Sequence, residues 1–192
     1  MRVRMTQIDG ALPNLALMKL AHFHRASGHQ VTVTRSIERD LFEGDYDQVY
    51  GSAIFSFSRE RLHRFKTQWP AALVGGTGTD STLTVEDVTG SDHYGVDYAG
   101  YPEFKESIGF TQRGCRLKCK FCVVPKKEGK NRGVNTITEI WRGEGHPKKL
   151  HLLDNDFFGQ PDWLTRVAEI RDGGFKVCLS QGINVRLINA DA

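Results

Sequence analysis

Cys115, Cys119 and Cys122 stand in a C-x3-C-x2-C spacing within the stretch GFTQRGCRLKCKFCVVPKK, residues 109–127. A loop this short can turn three sulfurs onto one face, and thiolates are soft ligands suited to iron–sulfur clusters or zinc. Three thiolates on a four-iron cube leave one iron open to an exogenous molecule. A closed zinc site takes four ligands, usually as two spaced pairs. Cys178 or His146 could serve as the fourth, but neither belongs to a second pair with ligand spacing. Cations favour the thiolate form, and the segment from Thr111 to Gly133 holds eight of them: Arg113, Arg116, Lys118, Lys120, Lys126, Lys127, Lys130 and Arg132. Its one acid is Glu128. The segment is therefore +7 in a chain whose formal charge is +3, which leaves the remainder net negative. Such a positive run serves an anionic cluster, an anionic ligand or nucleic acid, or is a solvated loop.

The cysteine spacing, with the aromatic Phe121 just before the last cysteine and the flanks Arg113-Gly114-Cys115 and Lys120-Phe121-Cys122, resembles the signature of radical S-adenosylmethionine (SAM) enzymes. The resemblance implies a [4Fe–4S] cluster held by Cys115, Cys119 and Cys122. The open iron would bind the amine and carboxylate of SAM, and reduction would cleave SAM to a 5′-deoxyadenosyl radical that attacks a substrate. Phe121 would sit by the adenine. The segment Leu152 to Gly159 is similar to the one after the second barrel strand in the subgroup with cobalamin-binding-type domains, which makes Asp154, Asn155 and Asp156 candidates for the SAM amine. The segment Ser180 to Arg186 is similar to the one after the third strand, so Gln181, Asn184 and Arg186 are candidates for the ribose or carboxylate. The bland alternatives are a turn or helix cap for Asp154 and a surface ion pair for Arg186. Cys178, inside a predicted strand, reads as a small buried residue.

The elements that must position these residues alternate along the chain. Strands are predicted over residues 2–9 and 31–34, over the apolar run Val49 to Phe57, and over Ala71 to Val74, which runs into Gly75-Gly76. Helices are predicted from Pro13 to a stop at Gly28 and from Arg59 to Phe65. Residues 79–105 lose periodicity and read as a linker, in which Leu83 and Val85 could add a short strand. Beyond it come strands at Ser107–Phe110, Leu150–Leu153 and Phe175–Ser180, with helices at Thr136–Arg142 and Pro161–Arg171. The expected domains are 1–80, 81–105 as linker, and 106–192. This is an α/β chain whose ligands belong at the carboxyl ends of parallel strands.

The first domain resembles the Rossmann-like cobalamin-binding domain through Asp45-Tyr46-Asp47, Ser52 and Gly75-Gly76. The expected fold is thus a doubly wound parallel sheet followed by the first three β/α units of a partial TIM-type radical SAM barrel. The Asp-x-His-x-x-Gly motif that supplies an axial histidine is missing: Asp9-Gly10-Ala11 has no histidine at the matching place. Either cobalamin binds without that ligand, or the fold persists without the cofactor. His22 and His24 read as an exposed and a partly packed histidine. A tRNA methylthiotransferase would place three more cysteines in the first domain, and residues 1–114 contain none.

Composition bounds the rest. The 192 residues are 39% hydrophobic and 26% charged, ordinary for a globular chain and unlike a disordered, collagenous or membrane-embedded one. No apolar stretch approaches about 18 residues and the first residues lack a signal-peptide core, so no membrane association and a cytoplasmic location are expected. The chain is too short for a complete eight-fold barrel of roughly 250 residues. It reads as the front of the enzyme, with a second chain as one way to complete the barrel. The resemblance further implies a flavodoxin- or ferredoxin-type electron donor and a substrate that is a small molecule or nucleic acid. The competing function is a non-catalytic metal-binding module, zinc or iron–sulfur, associated with nucleic acid, or an inactive fragment.

Overall fold

The computed structural model describes residues 1–90, 95–117 and 119–187, and the chain divides into two compact units, Met1–Phe104 and Lys105–Ala192. Lys118 of the basic run lies outside the described residues. Both units are mixed α/β with parallel sheets.

The first unit runs β1 (Arg2–Gln7), α1 (Leu15–Ala26), β2 (Gln30–Thr34), β3 (Gln48–Ser52), α2 (Arg59–Gln68), β4 (Leu73–Gly75) and α3 (Val85–Thr89). Its four strands are parallel in the order β2-β1-β3-β4, so the direction of winding reverses at β1. Strand alternation explains how both faces are covered. Val3 and Met5 pack with Leu17, Leu20 and Ala21 of α1, with Tyr50, and with Val85 and Val88 of α3. A second cluster gathers Ile8, Ile37, Ala53, Phe65, Trp69 and Val74 around α2. Phe65 has no exposed surface, and truncating such a ring costs about 3–5 kcal/mol. Arg4 is also buried beneath Trp69: its Nε donates to Glu43 at 2.9 Å and its Nη2 to the carbonyls of Ser36 and Glu38. Burial pushes the Glu43 carboxyl up, but hydrogen bonds from Arg4, Tyr46 and the Asp40 amide outweigh it and hold it below the usual range.

Several expectations shift. Pro13 lies just outside α1, and the cap is Asn14, whose Oδ1 accepts from the Leu17 amide at 3.2 Å while its Nδ2 donates to Ser52 at 2.8 Å. The run Val49 to Phe57 is not one strand. β3 stops at Ser52 because the Asp9 carboxylate takes the amides of Ile54 and Phe55, at 2.8 and 3.0 Å, which leaves Phe57 80% exposed. Val85 opens a helix, not a strand: Thr84 and Asp87 form a reciprocal capping box around its first turn. Neither histidine of α1 is exposed, and His24 is buried against Tyr50 and His29. Gly76 has φ +107°, and a Cβ there would lie 2.2 Å from the Ala53 carbonyl, so the turn after β4 requires glycine. A cavity of about 290 Å³ lies past the carboxyl ends of β1 and β3, lined by Gln7, Asp9, Gly10, Arg35, Phe57 and Arg61 among others.

The second unit runs β5 (Ser107–Gly109), β6 (Gln112–Arg113), α4 (Val124–Lys127), β7 (Arg132–Gly133), α5 (Ile137–Ile140), β8 (Lys149–Leu152), α6 (Trp163–Asp172) and β9 (Lys176–Leu179). β5, β8 and β9 form a parallel sheet in chain order, and β6 and β7 form a separate antiparallel pair. Leu150 and Leu152 turn toward Ile137, Ile140 and Phe157, with Val167, Ile170, Val177 and Leu179 packed around them. Cys178 is exposed, against expectation. Val177 and Leu179 take the core face of β9, so alternation turns Cys178 to the other side, where it registers with His151. Among the described residues, no helix is long and apolar enough to cross a membrane.

Candidate functional site

The three clustered cysteines all lie on the segment between β6 and β7, and those two strands close it at the base. Gln112 registers with Gly133 and Arg113 with Arg132. A two-residue ladder is too short to hold a long loop shut by itself. Side chains from other elements supply the rest. Asp154, just past β8, accepts the Thr111 and Gln112 amides on Oδ1 at 2.8 and 3.0 Å and the Thr111 hydroxyl on Oδ2 at 2.6 Å. Gln160 Nε2 donates to the same hydroxyl at 3.0 Å. Glu128 Oε2 collects Arg113 Nε, the Gly114 amide and Asn155 Nδ2 at 3.0, 3.0 and 3.3 Å. Arg116 Nε donates to Asp156 Oδ2 at 2.7 Å. Gly114 turns with φ +77°, and a Cβ there would meet the Lys130 carbonyl at 2.3 Å.

Asp154, Asn155 and Asp156 are therefore brought to the cysteine segment or its base, as their proximity in sequence to one strand end suggested. Asp154 is 2% exposed and its contacts are with the turn after β5. Burial raises its carboxyl, and the Thr111 and Gln112 hydrogen bonds oppose that rise. Asp156 is 1% exposed. Gln181, Asn184 and Arg186 follow β9. Gln181 and Arg186 are exposed, and Asn184 Oδ1 accepts the Arg186 amide at 3.2 Å. Phe121 is 93% exposed, an aromatic face presented to solvent between two of the cysteines.

Cys119 is exposed, while Cys115 and Cys122 are half-buried. The Cys122 amide donates to the Cys119 carbonyl at 3.0 Å, a tight turn that fixes the pair, and the Leu117 amide points at Cys115 Sγ at 3.4 Å. Burial pushes the Cys115 thiol up; the Leu117 amide pulls the other way, and the charges of Asp156, Cys122 and Cys119 push it further up. Among the described residues, no three His, Cys, Asp or Glu side chains converge where a single ion could sit.

The surroundings fit a polar guest. Gln112 Nε2 and Oε1, Asn131 Oδ1, Asp156 Oδ1 and Gln160 Oε1 are buried without a hydrogen-bond partner among the described residues. Each such atom costs about 1–3 kcal/mol unless something pairs with it. All four residues belong to the base of the cysteine segment or touch it. Sequence reasoning passed over Thr111, Gln112, Glu128 and Gln160. Glu128 did leave a signal, as the lone carboxylate in a strongly basic run. The other three are ordinary polar residues whose roles arise from tertiary contact. No protein-family model matches the chain, and a search of curated proteins finds no match.

Proposed function

We propose that the second unit is the front of a radical SAM barrel in which Cys115, Cys119 and Cys122 hold a [4Fe–4S] cluster, and that the first unit is a Rossmann-like domain preceding it. The observation that carries this reading is the C-x3-C-x2-C segment itself, rooted at the carboxyl end of the first of three parallel strands. Those strands advance in chain order with helices between them, as successive β/α units of a barrel do. The first unit winds both ways from β1, which is doubly wound logic.

A three-thiolate cluster supplies an open iron for the amine and carboxylate of SAM and the electron for its reductive cleavage. The chain's own residues would do the rest. Arg113 and Arg116 tie the segment to Glu128 and Asp156, and the basic run around the cysteines would balance the negative charge of a thiolate-held cluster. Asp156 Oδ1, buried and without a partner among the described residues, suits the SAM ammonium, with Asn155 beside it. Asp154 holds the turn from which the cysteine segment leaves. The exposed ring of Phe121 would cover the adenine, and Gln181, Asn184 and Arg186 would meet the ribose or carboxylate.

For the first unit the sequence lacks the axial-histidine motif, the Asp9 carboxylate is committed to the Ile54 and Phe55 amides, and among the described residues no histidine lines the cavity after β1, which favours a fold kept without a histidine-held cobalamin.

The test is anaerobic reconstitution with iron and sulfide. The expected result is a brown chromophore with about four irons per chain and cleavage of SAM under a flavodoxin- or ferredoxin-type or chemical reductant. Cys119→Ala should abolish the cleavage while the first unit keeps its secondary structure. A colourless chain holding one zinc, or full cleavage by the Cys119→Ala variant, would remove this reading.

A further inference from the structure

On the second sheet, His151 of β8 and Cys178 of β9 line up on one face with Glu106, just before β5, and Ser180, just after β9. Strand register places Ile108 of β5, His151 of β8 and Cys178 of β9 side by side, so Glu106, His151, Cys178 and Ser180 share that face by alternation. Glu106 Oε2 lies 2.5 Å from His151 Nε2. His151 Nδ1 lies 3.2 Å from Ser180 Oγ, and Ser180 Oγ lies 3.7 Å from Cys178 Sγ. A carboxylate orienting an imidazole, and an imidazole within reach of a hydroxyl that touches a thiol, is the arrangement that activates a nucleophile. The thiol at its end is exposed. None of these residues takes part in the cysteine segment described above.

We propose that Cys178 is a nucleophilic thiol served by a Ser180–His151–Glu106 proton relay, and that it undergoes exchange with small anionic disulfides. Glu106 accepts from Nε2–H, which leaves Nδ1 to take a proton. The Cys178 proton passes to Ser180 Oγ as the Ser180 proton passes to His151 Nδ1. In the resulting state Nδ1–H donates to Ser180 Oγ and Ser180 O–H donates to the thiolate, while Glu106 balances the imidazolium. The thiolate attacks one sulfur of the disulfide: a new S–S bond forms to Cys178 and the disulfide's own S–S bond breaks. Cys178 is oxidised and the departing half is reduced, leaving as a thiolate that takes the proton back from His151. Lys149 and Lys176 register with each other on the same face; Lys149 Nζ lies 3.7 Å from Glu106 Oε1, and among the described residues Lys176 is the cation left to meet an incoming carboxylate, so the electrophile suited to this surface carries carboxylates.

The probe is oxidised glutathione added to the full-length chain near neutral pH, with site-resolved mass spectrometry following the adduct at each cysteine. Cys178 should be modified at least about tenfold faster in the wild type than in Ser180→Ala or His151→Gln. Ser180→Thr keeps a hydroxyl and should restore most of the rate. The double variant Ser180→Ala/His151→Gln should be no slower than either single one, because one relay is cut in each case. Far-UV circular dichroism of every variant checks that the sheet persists, and Glu106→Gln, which removes charge and changes no shape, gives a second route to the same answer. Equal rates at Cys178 in wild type, Ser180→Ala and Glu106→Gln, or an adduct that forms on the other cysteines and not on Cys178, would overturn the proposal.

Discussion

His24 shows how a single residue's surroundings turn into a measurable property. Its Nε2 lies 3.1 Å from the Tyr50 hydroxyl and its Nδ1 lies 2.9 Å from His29 Nδ1. Burial, then the charge of His29, then the N-terminus, lower its pKa from 6.5. The unfolded chain therefore binds more protons than the folded one in the window below 6.5. In that window stability rises with pH, so it falls as the solution is acidified through 6.5 toward the lowered folded value. Glu43 works in the same direction at lower pH: its folded value is depressed, so the stability it contributes is present above the ordinary carboxylate range and is lost as pH falls through the depressed value. Thermal unfolding followed by circular dichroism from pH 7.5 to 5 should show a falling midpoint. His24→Gln should flatten that slope, at a cost of about 1 kcal/mol at neutral pH from the disturbed contact with Tyr50. An unchanged slope in the variant would mean that other groups govern the response.

At the level of elements, the turn from β5 into the cysteine segment depends on one buried carboxylate. Asp154 Oδ1 holds two backbone amides and Oδ2 holds one hydroxyl. Asp154→Ala strands all three donors in a buried place and should cost about 3 kcal/mol in urea unfolding. Asp154→Asn keeps an oxygen for both amides and removes a charge that burial already penalises, so it should cost about 1 kcal/mol or less. If both variants lost the same amount, the carboxylate would be acting through charge and not through the amides. This dependence also explains what the sequence did and did not disclose. The strands with apolar runs and the helices with capping residues were legible, because period and caps are local. Asn14 and the Thr84–Asp87 box lay in plain view as caps, yet opening the first helix at Pro13 and reading Leu83 to Val85 as strand overlooked both. The end of β3 was hidden, since Asp9, far away in the chain, takes the amides of Ile54 and Phe55. The closure of the cysteine segment was hidden for the same reason: β6 and β7 exist through Asp154, Glu128 and Gln160, not through their own propensity. The exposure of Cys178 followed from which neighbours face the core, and a strand's facing cannot be read from a single residue.

The two units differ as whole bodies. Residues 1–104 carry ten basic and thirteen acidic residues, a net of −3, while residues 105–192 carry sixteen and ten, a net of +6. The net positive charge therefore belongs to the unit with the clustered cysteines and Cys178, where anionic ligands are favoured, and the first unit carries the opposite sign. The first unit has what independent folding requires. Four parallel strands are buried on both faces by separate clusters, and the Arg4 guanidinium is satisfied by Glu43 and by carbonyls within the same unit. A fragment of residues 1–104 should therefore unfold in one cooperative transition, bind an anion exchanger at neutral pH, and keep the acid-sensitive midpoint that His24 and Glu43 impose, since both residues and their partners lie inside it. A fragment that unfolds without cooperativity and exposes apolar surface to a hydrophobic dye would show that this unit draws its stability from the rest of the chain. A fragment that melts cooperatively but has lost the pH response would place the source of that response outside residues 1–104, and His24 would not be its origin.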